Sequence, residues 1–266
     1  MFRIREFFKD KINVFILLLP FLLLFLIFKQ IRKIEMHKKL ETIKDSKCSV
    51  HILNYNRPWN IIDQIDFFSK YDFIDEIVVS NGSKEYAIIE KDVLKYPTVK
   101  LIDDFENNDK FKAARRWYTL SNCKNDIIIS MDDDLIPSEK LLYDLVYNVI
   151  INPICLYGPF KRLCNKDGYV SKPSGNNYNV ILTGLASSSK KVFKQYFNNR
   201  NFNNDMKILK NNNGNGEDLL FNRYLIKEGI PCLFINEEYK FLDKSNGYSS
   251  LDDHYEVRDK LCKSFF

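Results

Sequence analysis

The chain has 266 residues, 45% of them hydrophobic, with 21 Phe and 15 Tyr, so material for a sizeable core is plentiful and a disordered polypeptide is excluded. The net charge of +5 comes partly from the ends of one apolar segment and makes no case for nucleic acid as a partner. The six cysteines are scattered, no pair has the close spacing of a zinc site, and a chain of this size needs no disulfide framework, which leaves the redox compartment open.

Residues 1–11 form a basic N-terminal flank. Residues 12–28 are almost wholly apolar, broken by Asn13 and Pro20, and their 17 residues sit at the short limit for crossing a bilayer. No small-residue cleavage site follows, as a signal peptide would require; Lys29-Gln30-Ile31-Arg32-Lys33 follows instead. All-round hydrophobicity also argues against a buried core helix. The expectation is a single-pass membrane anchor at 12–28 and a charged stem at 29–47. Arginines and lysines lie on both sides of the anchor, with an excess after it. The positive-inside rule leans towards a cytoplasmic C-terminal part and leaves the orientation unsettled.

From Cys48 the pattern alternates. Ser49 to Leu53 reads as a strand and Asn54-Tyr55-Asn56-Arg57-Pro58 as its exit loop. A helical stretch carries Ile61, Ile62, Ile65 and Phe68. Ile74 to Val79 is a second strand, closed by the turn Ser80-Asn81-Gly82-Ser83. Residues 88–94 suit a short helix, 99–102 a third strand and 112–121 a helix carrying Arg115 and Arg116. Alternating strands and helices predict an α/β fold with a mostly parallel sheet.

Ile127 to Met131 is an apolar, β-branched run that ends in Asp132-Asp133-Asp134. Three adjacent anions repel one another. A divalent cation such as manganese or magnesium would give them a reason to cluster, and carboxylates suit such hard ions. The carboxyl ends of strands in α/β sheets are also where ligands bind. Helix capping accounts for one or two of the three carboxylates, not for one set directly against the strand. Ser138 is placed to cap the helix that follows. Further on, 154–160 and 180–186 read as strands, with Gly184 allowing close backbone approach. Ser189 to Phe197 reads as a helix, the Asn-rich stretch 198–215 as a mobile loop, and Asn215-Gly216-Glu217-Asp218 as the opening of another helix. Residues 231–235 are the last expected strand.

Taken in order, these pieces resemble a nucleotide-sugar glycosyltransferase of the GT-A fold, and more narrowly the C-terminal catalytic domain of the exostosin family. The matching pieces are Tyr55-Asn56-Arg57 after the first strand, Asn81 after the second, and Arg116 sixteen residues before Asp132. Met131 to Asp134, Asn215 to Asp218, and a tail with Asn246-Gly247-Tyr248-Ser249, His254, Arg258 and Cys262 complete the set. The resemblance covers about 48–266 and implies a GT-A-like domain with a central, mostly parallel sheet, preceded by one transmembrane helix. It implies transfer of a sugar, N-acetylhexosamine by analogy, from a UDP donor to a hydroxyl of a glycan or glycoconjugate, with retention. It also implies manganese or magnesium on Asp134, and Golgi or endoplasmic-reticulum type II topology if the protein is eukaryotic-like.

The implied roles follow residue by residue. Asp132 or Asp133 would hold ribose or sugar hydroxyls, and Arg57, Asn81 and Arg116 would contact the nucleotide. Asn215 would contact the donor sugar, Asp218 would sit beside the anomeric carbon, and Arg258 would reach the diphosphate. Arg115 reads as part of a solvated helix face and His254 as a surface histidine. Gly216 stands where the family often has a Cys, which leaves Cys262 without that partner. Asn81-Gly82-Ser83 matches a glycosylation sequon expected to be unused. Three rivals remain. One is an inverting GT-A family, although no Gln/Arg-x-x-Arg-Trp motif is present. The second is a non-catalytic membrane-tethered module, and the third is a phosphatase or nuclease, for which histidines are scarce.

Overall fold

The computed structural model describes residues 2–244 and 253–265, with side chains from Phe21 onward. The expected tail motif Asn246-Gly247-Tyr248-Ser249 lies outside the described residues. The chain falls into two compact units, Met1–Lys44 and Asp45–Phe266. The first is one helix, α1 (Phe2–Ile43), which runs through the expected stem as well as the apolar segment. Phe21 to Phe28 are all exposed on it. Among the described residues no helix is long and apolar enough to cross a membrane, but the side chains of 12–20, half of the expected anchor, are not among them.

The second unit runs β1 (Cys48–Asn54), α2 (Pro58–Phe68), β2 (Ile74–Asn81), α3 (Glu90–Val93), β3 (Val99–Asp103) and α4 (Phe105–Phe111). A 3-10 turn at Lys112–Arg115 then leads into α5 (Arg116–Leu120). β4 (Ile127–Asp132), β5 (Leu135–Pro137), α6 (Glu139–Ile151), β6 (Leu156–Gly158), β7 (Lys161–Asn165), β8 (Gly168–Val170), β9 (Val180–Ile181) and β10 (Leu185–Ser189) follow. The chain closes with α7 (Lys190–Phe197), α8 (Phe202–Asn211), α9 (Glu217–Lys227), β11 (Cys232–Phe234), β12 (Tyr239–Phe241) and α10 (His254–Phe265). The main sheet has seven strands in the order β11-β6-β10-β4-β1-β2-β3. β4, β1, β2 and β3 are mutually parallel, as is the pair β6–β11, whereas β10 is antiparallel to both its neighbours.

β4 is central because its sequence tolerates nothing else. Ile128, Ile129 and Met131 are fully buried, and a strand apolar on both faces needs a strand on each side and helices above and below. Asp132 is the first residue past this apolar run, so burial of the strand pushes the carboxylates out at its carboxyl end. Ser138 caps α6 as expected, accepting from the Leu141 amide at 3.2 Å.

Several expectations need correction. The stretch 180–186 is two strands, β9 and β10, because the chain breaks at Thr183-Gly184 to pass close to Asp132. A Cβ on Gly184 would meet Asp132 Oδ2 at 2.6 Å. Most of the Asn-rich stretch is helix α8, since Phe202, Met206 and Leu209 recur on one face and bury in the core. Arg115 is no solvated surface residue but 1% exposed. Cys262, with no cysteine at 216, takes another partner. It is disulfide-bonded to Cys164, which fastens α10 to β7 across 98 residues. Gly216 faces the same helix, where a Cβ would meet Leu261 Cδ1 at 2.3 Å, and its φ of +95° suits glycine alone.

A single aromatic cluster sets the distance between the two chemistry-bearing helices. Trp117 on α5 packs on Phe221 of α9 with ring centroids 4.7 Å apart, and Phe193 and Tyr196 of α7 close around the pair. Trp117 follows Arg116, and Phe221 lies one turn past Glu217 and Asp218. Core packing therefore positions these charged groups.

Candidate active site

The carboxyl end of β4 opens into a cavity of about 400 Å³, in the range of small-ligand sites. Asp132, Asp133 and Asp134 form its floor. Arg57 and Asn215 line it, as do Asp218, Arg258 and His254.

The three aspartates have different surroundings and so different capacities. Asp133 is buried; it receives Arg57 at 2.9 Å and the Tyr55 amide at 3.0 Å, and burial pushes its carboxyl up to about 6 despite the guanidinium. Its oxygens are engaged by the β1 exit loop, so it clamps that loop at the cavity floor. Asp134 touches Arg57 at 3.2 Å. Burial raises its pKa, and the charge of Asp132 raises it further. Asp132 keeps 43% of its side chain exposed while bonding Arg116 at 2.6 Å. Asp132 and Asp134 thus put mutually repelling charge into the cavity, which suits a divalent cation that takes other ligands from a bound phosphate. Among the described residues no group of three or more His, Cys, Asp or Glu side chains forms a complete cation cage.

Across the cavity, α9 begins at Glu217. Asp218 is almost fully buried. Its Oδ1 accepts from the Leu219 amide at 2.8 Å and its Oδ2 from Arg258 at 3.0 Å. The expected helix-terminus role is therefore real, and it coexists with a cross-element ion pair. Burial alone would lower Arg258, but Asp218, Tyr169 and Glu217 outweigh it and hold the guanidinium firmly charged. Glu217, which drew no site role from the sequence, sits 3.6 Å from Arg116. Burial and the neighbouring Asp218 push its carboxyl up to about 7. Asn215 gives its amide to the His254 carbonyl at 2.9 Å, and its buried Oδ1 has no partner among the described residues.

Of the two adjacent arginines, Arg115 lines the cavity and Arg116 lies behind it. Arg116 bonds Ser130, the Thr183 carbonyl and Asp132, tying β4 to the β9–β10 break and to Glu217. Burial alone would lower it, but the charges of Asp132, Glu217 and Asp218 keep it raised. Arg115 bonds the Asn54 and Ser80 carbonyls and the Ser80 hydroxyl, joining the ends of β1 and β2. Asn81 does not reach the cavity. It is fully buried, and its amide is spent on the Ile88 carbonyl and Asp103. That burial also closes the sequon to a glycan. His51 is buried against Thr119, and burial with the nearby arginines keeps it neutral, so it offers no ligand to the cavity.

Sequence reasoning missed the far wall: Phe160, Arg162, Tyr169 and Phe241. Tyr169 lies 5.2 Å from the Arg258 guanidinium in a cation–π contact. These residues come from short strands without periodicity, and only the alternation Tyr239-x-Phe241 could have marked them.

An α/β sheet whose central strand delivers acidic side chains into a cavity opposite a second acidic helix terminus places the protein among GT-A-like glycosyltransferases. The chain belongs to the family defined by the glycosyl transferase family 64 domain, whose model matches residues 48–266. No curated protein matches it. Among solved structures it is similar to the crystal structure of GalNAc-T7 with UDP, GalNAc and Mn2+, at 13% identity and a TM-score of 0.54. The match covers 79% of this chain and 45% of that one, so this chain spans about half the length of its structural relative, and the likeness is one of fold.

Proposed function

We propose that the protein is a membrane-anchored, exostosin-like glycosyltransferase that moves an N-acetylhexosamine from a UDP donor to a glycan hydroxyl, with retention, using manganese or magnesium. The observation that carries this reading is the pairing of two acidic sites across one cavity: Asp132 and Asp134 at the end of β4, and Asp218 held by Arg258 at the start of α9. GalNAc-T7, of similar fold, was crystallised with UDP, GalNAc and Mn2+, which supports the donor class and the metal. The eight exposed apolar residues Phe21 to Phe28, continuous with the apolar sequence from residue 12, support the anchor.

Asp134 is the residue to hold the metal, with Asp132 beside it. The metal would supply charge neutralisation for the departing diphosphate. Asp132 and Asp133 were both expected to hold ribose or sugar hydroxyls; the exposure of Asp132 leaves that task to it. Asn215, whose Oδ1 has no partner among the described residues, is suited to a donor-sugar hydroxyl. Asp218 stands beside the anomeric carbon. Each of its oxygens already accepts a hydrogen bond, one from the Leu219 amide and one from Arg258, which favours steadying positive charge at the sugar over taking the acceptor's proton. That supports retention over the inverting alternative, in which a carboxylate free to accept a proton is required.

The test is calorimetric titration of the protein with UDP, with and without manganese. Metal-requiring binding that disappears in Asp134→Ala, with the fold unchanged by circular dichroism, is expected. Equal UDP binding by the variant would remove Asp134 as the metal ligand.

A further inference from the structure

Three aromatic rings cluster beside the cavity, where β12 meets the end of β6. Tyr239 and Phe241 lie two apart on β12 and so project to the same side. Their ring centroids are 5.2 Å apart. Phe160, which follows β6, packs edge-on to Tyr239 at 4.7 Å and lies nearly parallel to Phe241, 17° off, at 6.3 Å. Phe241 is 43% exposed, and both phenylalanines line the same cavity as Asp134 and Asp218. Core packing does not explain an apolar ring left open in a wall otherwise rich in charge, because burying it elsewhere would remove more apolar surface from water.

The face is also held at a set distance from the acidic floor. β12 pairs antiparallel with β5, with Phe241 opposite Leu135, and the Leu242 amide donates to the Asp134 carbonyl at 2.7 Å. A backbone hydrogen bond thus joins the aromatic strand to Asp134 itself. The ammonium of Lys244 rests over Phe241 on an exposed, flexible stem, so the cover on the ring is one that an entering molecule can displace.

We infer that Phe160 and Phe241, braced edge-on by Tyr239, form the acceptor platform, on which a pyranose ring of the acceptor glycan lays its apolar C–H face. This rests on the reading of the cavity as a UDP-sugar site. The chemistry fits because a pyranose has one face of axial C–H groups and a rim of hydroxyls. The C–H face matches the electron-rich ring faces of Phe160 and Phe241, and the rim meets the charged groups of the wall, Arg162 and Lys244. The nucleotide base is the competing occupant for an aromatic face. Phe160 follows β6, which lies beyond β10 on the side of β4 away from β1, and so sets the platform across the acidic floor from Tyr55, at the acceptor end; Arg57 meets this strand only past the rings, at the Asp243 carbonyl.

The experiment is saturation-transfer NMR on the full chain in a sugar-free detergent, with UDP and magnesium present. Methyl β-glucopyranoside, methyl β-galactopyranoside and methyl N-acetyl-β-glucosaminide serve as probes. At least one probe should show saturation concentrated on the C–H protons of one ring face. Phe241→Ala and Phe160→Ala should weaken that binding about three- to tenfold, and Phe241→Trp should restore it. UDP affinity, measured by calorimetry on the same samples, should not change. A wild-type protein that binds UDP but none of the pyranosides, or variants that bind the probe as well as wild type, would overturn the platform and leave the donor site standing. A loss of UDP affinity in Phe241→Ala would reassign the face to the base and equally overturn it. Failure of the wild type to bind UDP at all would strike the donor-site reading itself.

Discussion

β4 divides the catalytic unit into two unlike halves. On one side β1, β2 and β3 run parallel with long registers, and the segments that follow β1 and β3 line the cavity. On the other side β10 turns antiparallel, and β6, β7, β8, β9 and β11 are two to five residues long; a disulfide and a terminal helix hold the assembly shut. In the parallel half long apolar strands specify their own register, and Arg115 and the Asp133–Arg57 pair then pin the loop ends. Strands of two or three residues cannot do this, so side-chain links take over: Asn222 bonded to both the amide and the carbonyl of Ile181, Tyr169 against Arg258, and Cys164 to Cys262. A half organised by specific links can be broken by single substitutions that leave the other half intact.

The largest such effect is expected at Asp218. Asp218→Asn removes the charge paired with Arg258 while preserving shape, and should reduce transfer by roughly 10²- to 10⁴-fold with metal-dependent UDP binding retained. Full turnover by the variant would show that the antiparallel half contributes no chemistry. Arg116→Met tests the seam between the halves. It leaves Asp132 and Glu217 without their buried counter-charge, and should lower stability by about 3–5 kcal/mol in chemical denaturation. A shift within error would mean that the carboxylates find other partners.

Cutting the disulfide acts on one half only. Cys164→Ser should cost about 2–5 kcal/mol and reduce transfer more than UDP affinity, because α10 carries Arg258 and His254. Proportional loss of both would show that the halves are not separable. The smallest effect concerns pH. Glu217 is raised from 4.5 to about 7, so between those values the folded protein holds a proton that the unfolded chain releases. Its contribution to stability is fully present below about pH 4.5 and is lost as pH rises through about 7. Glu217→Gln should flatten the stability profile over that window and make the protein more stable than wild type at pH 8, by about 1–3 kcal/mol. Urea melts at pH 5 and pH 8 that differ equally in both proteins would refute this.

The same division separates what was readable in the chain from what was not. β1, β2, β3 and β4, the Asp132-Asp133-Asp134 floor, the Ser138 cap and the α9 opening with Asp218 were all legible, because apolar runs, capping residues and acidic clusters are local patterns. The hairpin β7–β8, β12 and helix α8 were not. In the first two, strands of three to five residues give no period to detect, and in the last an Asn-rich composition masked Phe202, Met206 and Leu209 on one helical face.

By itself the sequence determined an α/β domain beginning at Cys48, its central acidic strand, and the set of charged residues available for chemistry, since these follow from burial patterns along the chain. Tertiary structure alone decided how those charges are spent. Asp132, Asp133 and Asp134 are neighbours in sequence, yet Arg116, Arg57 and the cavity divide them into a part-exposed group, a clamp and the candidate metal ligand. Arg115 went inside, Asn81 turned away from the cavity, and Cys262 found Cys164, 98 residues away. Spacing along the chain carries no information about which of many like groups will be brought within 3 Å, because that choice is made by long-range packing and by the cost of leaving a buried charge unpaired.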